Sequence, residues 1–338
     1  MIDVHVHLRD WNQKEKETLK HGFSVAKKAY FTALFEMPNT DPPLTDVPLL
    51  KKRIKEAKEV SDGLFYGVYG GITADYNQLK EIVEFAKSEE AVVGLKLFAG
   101  HSTGNMGLTE EDEQLTIYKN LKKLNYRGVL AVHCEKESLL NKSEKTHSLR
   151  RGPVAEIESV RDQIRFLKES GFEGHLHICH ISTLKAIDLV NEAKKENLRI
   201  SCGATAHHAL LNETMANEED NLLRMNPPLR SKEDQNGVFN SLLDGRVDWI
   251  ESDHAPHTKE DKLKGYSGIV GFAGTLLLIK ALREAKINKQ RLIELLGENQ
   301  NRVFGKNIEI RVPSDSQIDA ILPEIRDSYW YDPFISLR

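Results

Sequence analysis

The chain has 338 residues, 40% hydrophobic and 29% charged, and its 47 Lys+Arg against 51 Asp+Glu leave a formal charge of −4. That composition excludes disordered, collagenous and fibrous chains and is enough to bury a core. It also lacks the basic excess with which proteins grip nucleic acid phosphates.

Taken in order, short apolar runs alternate with longer amphipathic stretches. Run 2–6 is followed by a helical pattern over 14–29, run 31–36 by one over 44–60, and run 64–70 by one over 76–88. Run 92–98 precedes a helix over 109–124, whose start is marked by Thr109, Glu110, Glu111 and Glu113. Run 128–133 precedes 153–170, run 175–179 precedes 183–197, run 198–202 precedes 231–243, and run 247–252 precedes further helix over 274–296. Continuous apolar runs suit strands buried on both faces of a parallel sheet. Eight βα units in about 300 residues predict a (β/α)8 barrel. An open doubly wound sheet is the alternative; no G-x-G-x-x-G opens a helix after a strand, which weakens its dinucleotide-binding form. The stretch 308–323 reads as two short strands. The expected division is therefore a barrel over 1–305 and a short C-terminal extension over 306–338, packed on it.

Cys134, Cys179 and Cys202 form no CxxC pair and read as buried, reduced thiols. The N-terminus shows no signal pattern, and no stretch approaches the ~18 apolar residues of a membrane span. A cytoplasmic location without a membrane partner is expected.

There are 13 histidines, and ten fall in short clusters: His5/His7, His133, His175/His177/His180, His207/His208 and His254/His257. His5 and His7, two apart on a strand, share one face and can hold one cation at a barrel mouth. They read equally as core or solvated histidines if taken alone. Lys96 shares a strand face with Val92 and Phe98. A buried amine loses basicity and becomes nucleophilic, so it can capture carbon dioxide as a carbamate, a carboxylate-like ligand able to bridge two cations. Snorkelling to the rim is the other reading. His133 ends its run, His180 directly follows one, and Asp253 follows the last. Five strands thus bring a titratable group to the rim where barrel enzymes keep their catalytic residues. Imidazole and carboxylate ligands suit zinc. Two close cations polarise a carbonyl and supply a bridging hydroxide near neutral pH.

These blocks resemble the cyclic amidohydrolases, and within them the dihydroorotases. DVHVHLRD, FEMPNT, GLKLF, LAVHCE, CHISTLKA, RMNPPLR and SDHAPHT occur in family order over residues 2 to about 304. The resemblance implies reversible cyclisation of N-carbamoyl-L-aspartate to L-dihydroorotate, with two zinc ions. His5, His7 and Asp253 would hold the first and His133 and His180 the second. A carbamate on Lys96 would bridge them, and Asp253 would act as general base and acid. Arg9, Asn39 and His257 would clamp the substrate carboxylate, and Asn226 and Gly268 would contact its ring. The loop 100–107 is a candidate lid, with Ser102 or Thr103 as donor. His207 and His208 read as structural. A homodimer and association with aspartate transcarbamoylase are left open. The chain departs from the family in Asp10-Trp11-Asn12, and a barrel-only form without a full β-sandwich domain is expected. Rival readings are an allantoinase or dihydropyrimidinase, for which Arg9 and His257 are less suited, and a non-catalytic scaffold, which would have lost ligands.

Overall fold

The computed structural model describes residues 1–101, 106–217, 219 and 221–337. Ser102 and Thr103, the candidate lid donors, lie outside the described residues. The strands are β1 (Ile2–Val6), β2 (Ala33–Glu36), β3 (Phe65–Gly71), β4 (Val92–Ala99), β5 (Gly107–Leu108), β6 (Val129–Cys134), β7 (His175–Ile178), β8 (Ile200–Ala204) and β9 (Trp249–Ile250). Eight of them pair in parallel in the order β1-β2-β3-β4-β6-β7-β8-β9, and β5 adds to the end of β4. The ring closes where Val6 bridges His254 and His7 N–H donates to the His254 carbonyl at 2.7 Å. Asp3 stitches the same seam, accepting from the His5 and Ser252 N–H groups at 3.1 Å each. The result is the expected (β/α)8 barrel.

Local chemistry explains the surrounding helices. Helix Val47–Val60 starts at Asp46, whose carboxylate accepts from Leu49 N–H; Thr183 and Ser231 cap Leu184–Lys195 and Lys232–Asp244 in the same way. Pro153 opens Pro153–Ser170 and left-handed Gly171 ends it. The main core lies between these helices and the strands. A second cluster joins Val4, Phe35, Tyr69, Val93, Val129, Trp249 and Phe304. All but Phe304, which ends helix Asn299–Phe304, come from strands round the ring, so the cluster fills the barrel interior.

Two expectations need correction. The helix predicted from residue 14 begins at Leu19, because the Asp10 carboxylate accepts from the N–H groups of Trp11 and Leu19 and holds the intervening chain in turns. The predicted pair of strands over 308–323 does not form. The alternation of Ile308, Ile310 and Val312 runs without ladder pairing, and Ser314 with Gln317 then makes a capping box that starts helix Asp315–Asp327. That helix buries Ile318 and Ile325 against the barrel side. Among the described residues, no helix is long and apolar enough to cross a membrane.

Candidate active site

The C-terminal ends of the strands enclose a cleft of about 370 Å³, counting space open to solvent, lined by His5, His7, Arg9, Asn39, Phe98, His133, His180, Asn226, Asp253, Ala255, Ser267 and Gly268. Two backbone devices aim its side chains. β1 is extended, so His5 and His7 point the same way. His180 and Asp253 each follow a strand end in the left-handed region, with φ 37° and 48°. Arg9, with φ 56°, does the same after β1. For a residue with a Cβ this conformation costs about 1–3 kcal/mol and survives only where the surroundings impose it. The surroundings here do so: His180 N–H donates to the Glu251 carboxylate, and Glu156 accepts from Ser182 N–H and Oγ at 2.8 Å each.

Two sets of donor atoms converge. His7 Nε2 lies 3.1 Å and His5 Nε2 3.3 Å from Asp253 Oδ1. Beside them, His133 Nδ1 and His180 Nε2 are 3.2 Å apart, and the His5 and His180 rings are 5.0 Å apart between centroids. Burial holds the His7 imidazole at a pKa of about 4 and pulls those of His133 and His180 below the ordinary value. Burial alone would raise the Asp253 carboxyl, but His5 and His7 hold it well below the usual range. Three neutral imidazoles, His5 and one ionised carboxylate around a polar pocket make a donor set fit for divalent cations. Among the described residues, buried His180 Nδ1 and His5 Nδ1 find no hydrogen-bond partner, Glu251 lying 3.7 Å from the latter, a costly state in a dry interior.

Lys96 does not line the cleft. Its register partner is Ala131, whereas His133 pairs with Phe98, so it sits one side-chain step deeper. It is fully buried, with Nζ 3.1 Å from Cys179 Sγ and 5.1 Å from the centre of the Phe98 ring. Burial would raise the Cys179 thiol, but Lys96 and His5 bring it down to about 5. Cys179, like Cys134 and Cys202, is a buried free thiol, as expected, but Cys179 sits against the donor set. With His5 and Glu251 it forms a second group of ligand atoms within 4.8 Å of one another, alongside His5, His7 and Asp253.

Two of the carboxylate-binding candidates, Arg9 and His257, follow His7 and Asp253 on the same strand-end loops. Arg9 is 2% exposed; its Nε donates to the Pro256 carbonyl at 3.2 Å, and its Nη2 lies 3.1 Å from His257 Nε2, which also meets the Ser267 carbonyl at 3.0 Å. Burial lowers its pKa to about 10. His257 stands behind the wall, its Nδ1 3.3 Å from Asp261. Asn39 lies in the loop after β2. Asn226 Oδ1 accepts from Ser267 Oγ at 3.1 Å. Gly268 donates its N–H to the Arg224 carbonyl at 2.9 Å and accepts from Lys262 Nζ at 2.8 Å. At φ 140° a Cβ there would lie 2.9 Å from His257 Nε2, so the wall needs glycine.

Several supporting residues escape sequence reasoning. Glu251 takes His177 Nε2 at 3.0 Å and Trp249 Nε1 at 3.1 Å as well as the His180 N–H. Glu135 lies 3.1 Å from His133 Nε2 and accepts from Arg151 Nε at 2.9 Å. Glu135 orients the His133 ring from behind, as outer partners of metal ligands do, whereas Glu251 holds the His177 ring and the His180 backbone. The E in LAVHCE, two residues past His133, is the signal for Glu135. Glu251 has none, since it reads as part of an apolar run. His207 and His208 are buried on the short helix Ala206–Leu210.

Residues 1–186 match the family model described as dihydro-orotase-like. The dihydroorotase of Bacillus cereus (strain G9842) is 35% identical over 328 residues, covering 90% of this chain and 72% of that one. The chain belongs to the dihydro-orotase-like family. A Bacillus anthracis dihydroorotase is 34% identical over the same shares. Among solved structures, L-hydantoinase (dihydropyrimidinase) from Arthrobacter aurescens superposes with a TM-score of 0.81 at 24% identity, over 93% of this chain and 73% of that one. Saccharomyces cerevisiae dihydroorotase in complex with 5-fluoroorotic acid gives 0.75 at 17% identity, over 94% and 85%. At these identities the structures show a shared fold.

Proposed function

We propose that the chain is a zinc-dependent dihydroorotase that interconverts N-carbamoyl-L-aspartate and L-dihydroorotate in the cytoplasm. Residues 1–305 form the hydrolase unit and 306–338 its extension. Family membership supports the reaction class. The observation that carries the substrate is Arg9: a guanidinium buried at the cleft wall, with the Pro256 carbonyl and the His257 ring as its hydrogen-bond contacts, is placed to take a carboxylate, and the ring acid supplies one. Asn39 and His257 complete that end, and Asn226 and Gly268 face the ring.

His5, His7 and Asp253 would hold one zinc ion, His133 and His180 a second, and a carbamate on Lys96 would join them. When bound, the pair polarises the ring carbonyl and acidifies water at the site. The chain's residues do the rest. Arg9, with the His257 ring against its guanidinium, orients the substrate by its carboxylate. Asp253, kept ionised between two imidazoles, takes the proton of the attacking water and returns it to the ring nitrogen that leaves. Ring closure runs the same transfers in reverse.

An assay with dihydroorotate and carbamoyl aspartate, alongside metal analysis and mass spectrometry of the Lys96 peptide, tests this. Turnover both ways, two zinc ions per chain and the added mass of one carbon dioxide are expected. Asp253→Ala and His180→Ala should abolish turnover, and Lys96→Ala should lose both metal and activity. Full activity in Asp253→Ala, or turnover of allantoin or dihydrouracil without dihydroorotate, would overturn the reading.

A further inference from the structure

The segment that follows helix Asp315–Asp327 folds back over the wall carrying Asp253, His254 and His257. Trp330 Nε1 donates to the main-chain carbonyl of His257 at 2.8 Å. Next to it, Tyr329 Oη donates to Glu17 Oε1 and lies against His254 Nε2, both at 3.2 Å. Phe334 anchors the far side. It is fully buried in a seat that exists because residue 274 is glycine, where a Cβ would lie 2.2 Å from its ring. Arg326 Nη2 ties the turn by donating to the carbonyls of Phe334 and Leu337 at 3.3 and 3.0 Å.

Trp330 itself is 47% exposed, so burial of its ring does not account for its place. What it does in this position is hold one carbonyl. That carbonyl belongs to the residue whose imidazole meets Arg9 Nη2 at 3.1 Å. His257 is already confined at Nε2 by the Ser267 carbonyl at 3.0 Å and at Nδ1 by Asp261 at 3.3 Å. The indole supplies the tie from outside the wall. We infer that Trp330 is a positioning residue for the substrate carboxylate: by fixing the His257 main chain it sets where the His257 imidazole stands behind the wall, and through it where the Arg9 guanidinium is held at the cleft. This rests on the reading of Arg9 as the carboxylate clamp. It makes the extension a working part of the site wall as well as packing on the barrel.

Trp330→Phe keeps an aromatic ring and removes the donor. Ile335→Ala, at a residue of the same segment that is 74% exposed, is the control. Two readouts are needed: KM and kcat for dihydroorotate, and amide hydrogen exchange across residues 255–268. In Trp330→Phe, KM should rise about fivefold, the value of one hydrogen bond, with kcat within about twofold. Exchange should quicken in 255–268 and stay the same elsewhere, and zinc content should not change. Ile335→Ala should match the wild type in all of these. Unchanged exchange at 255–268 would overturn the inference, as would a fall in kcat with KM constant or an equal effect of Ile335→Ala. A wild-type protein inactive on dihydroorotate would instead overturn the functional reading, while the exchange data would still decide whether Trp330 holds the wall.

Discussion

At the scale of single residues, the site depends on carboxylates that never reach the cleft. Glu251 is fully buried, and its carboxyl is held far below the usual range: burial opposes this, but His177 and His5 outweigh it. It orders three groups at once, the His177 ring, the Trp249 indole and the His180 backbone. Room for it comes from Gly203 on β8, where a Cβ would lie 2.5 Å from the carboxylate. Gly203→Ala must push Glu251 aside. One misplaced methyl in a packed interior costs about 1–3 kcal/mol, to be measured by denaturant unfolding of the metal-free protein. Activity should fall further than stability alone requires, because the left-handed turn at His180 loses its anchor.

At the scale of elements, the loop after β9 is braced by a chain of polar contacts. Glu17 Oε2 lies 2.7 Å from His254 Nε2, and His254 stacks on Phe272 with ring centroids 3.9 Å apart. Burial would raise the Glu17 carboxyl, but His254 and His21 hold it below its ordinary value of 4.5. A lowered carboxyl stabilises the fold above its unfolded pKa, and the contribution is lost as pH falls through the folded one. The thermal midpoint should therefore drop on acidification below pH 4.5. In Glu17→Gln that drop should be shallower and the neutral-pH midpoint lower, which a series of calorimetric scans would show. An acid limb identical to the wild type would mean that Glu17 carries none of it.

At the scale of the whole molecule, the barrel and the extension share one core. Ile318, Ile325 and Phe334 join the same buried cluster as the strand and helix residues. Phe334→Ala empties the seat at Gly274, and such losses cost about 3–5 kcal/mol. The prediction is a single unfolding transition at lower temperature, with barrel and extension melting together. Two transitions would show that the extension folds separately.

Much of this was legible from the chain alone, for a physical reason. Strand runs and helix periodicity are local patterns, and eight of each in alternation admit few topologies, so the barrel followed from them. His5, His7, His133, His180 and Asp253 stood at run ends, and a run end in a parallel barrel is a known place in space. The sequence by itself therefore determined the architecture and the rim on which these groups gather. Local patterning misled where a short alternation, Ile308 to Val312, met a capping box that started a helix instead. Tertiary structure alone decided what stands behind the rim. The contacts of Cys179 with Lys96, of Glu251 with His177 and His180, and of Trp330 with His257 join residues 83, 74, 71 and 73 positions apart. No local period encodes such pairs; they form because the closed barrel and the returning C-terminal segment bring distant elements onto one wall.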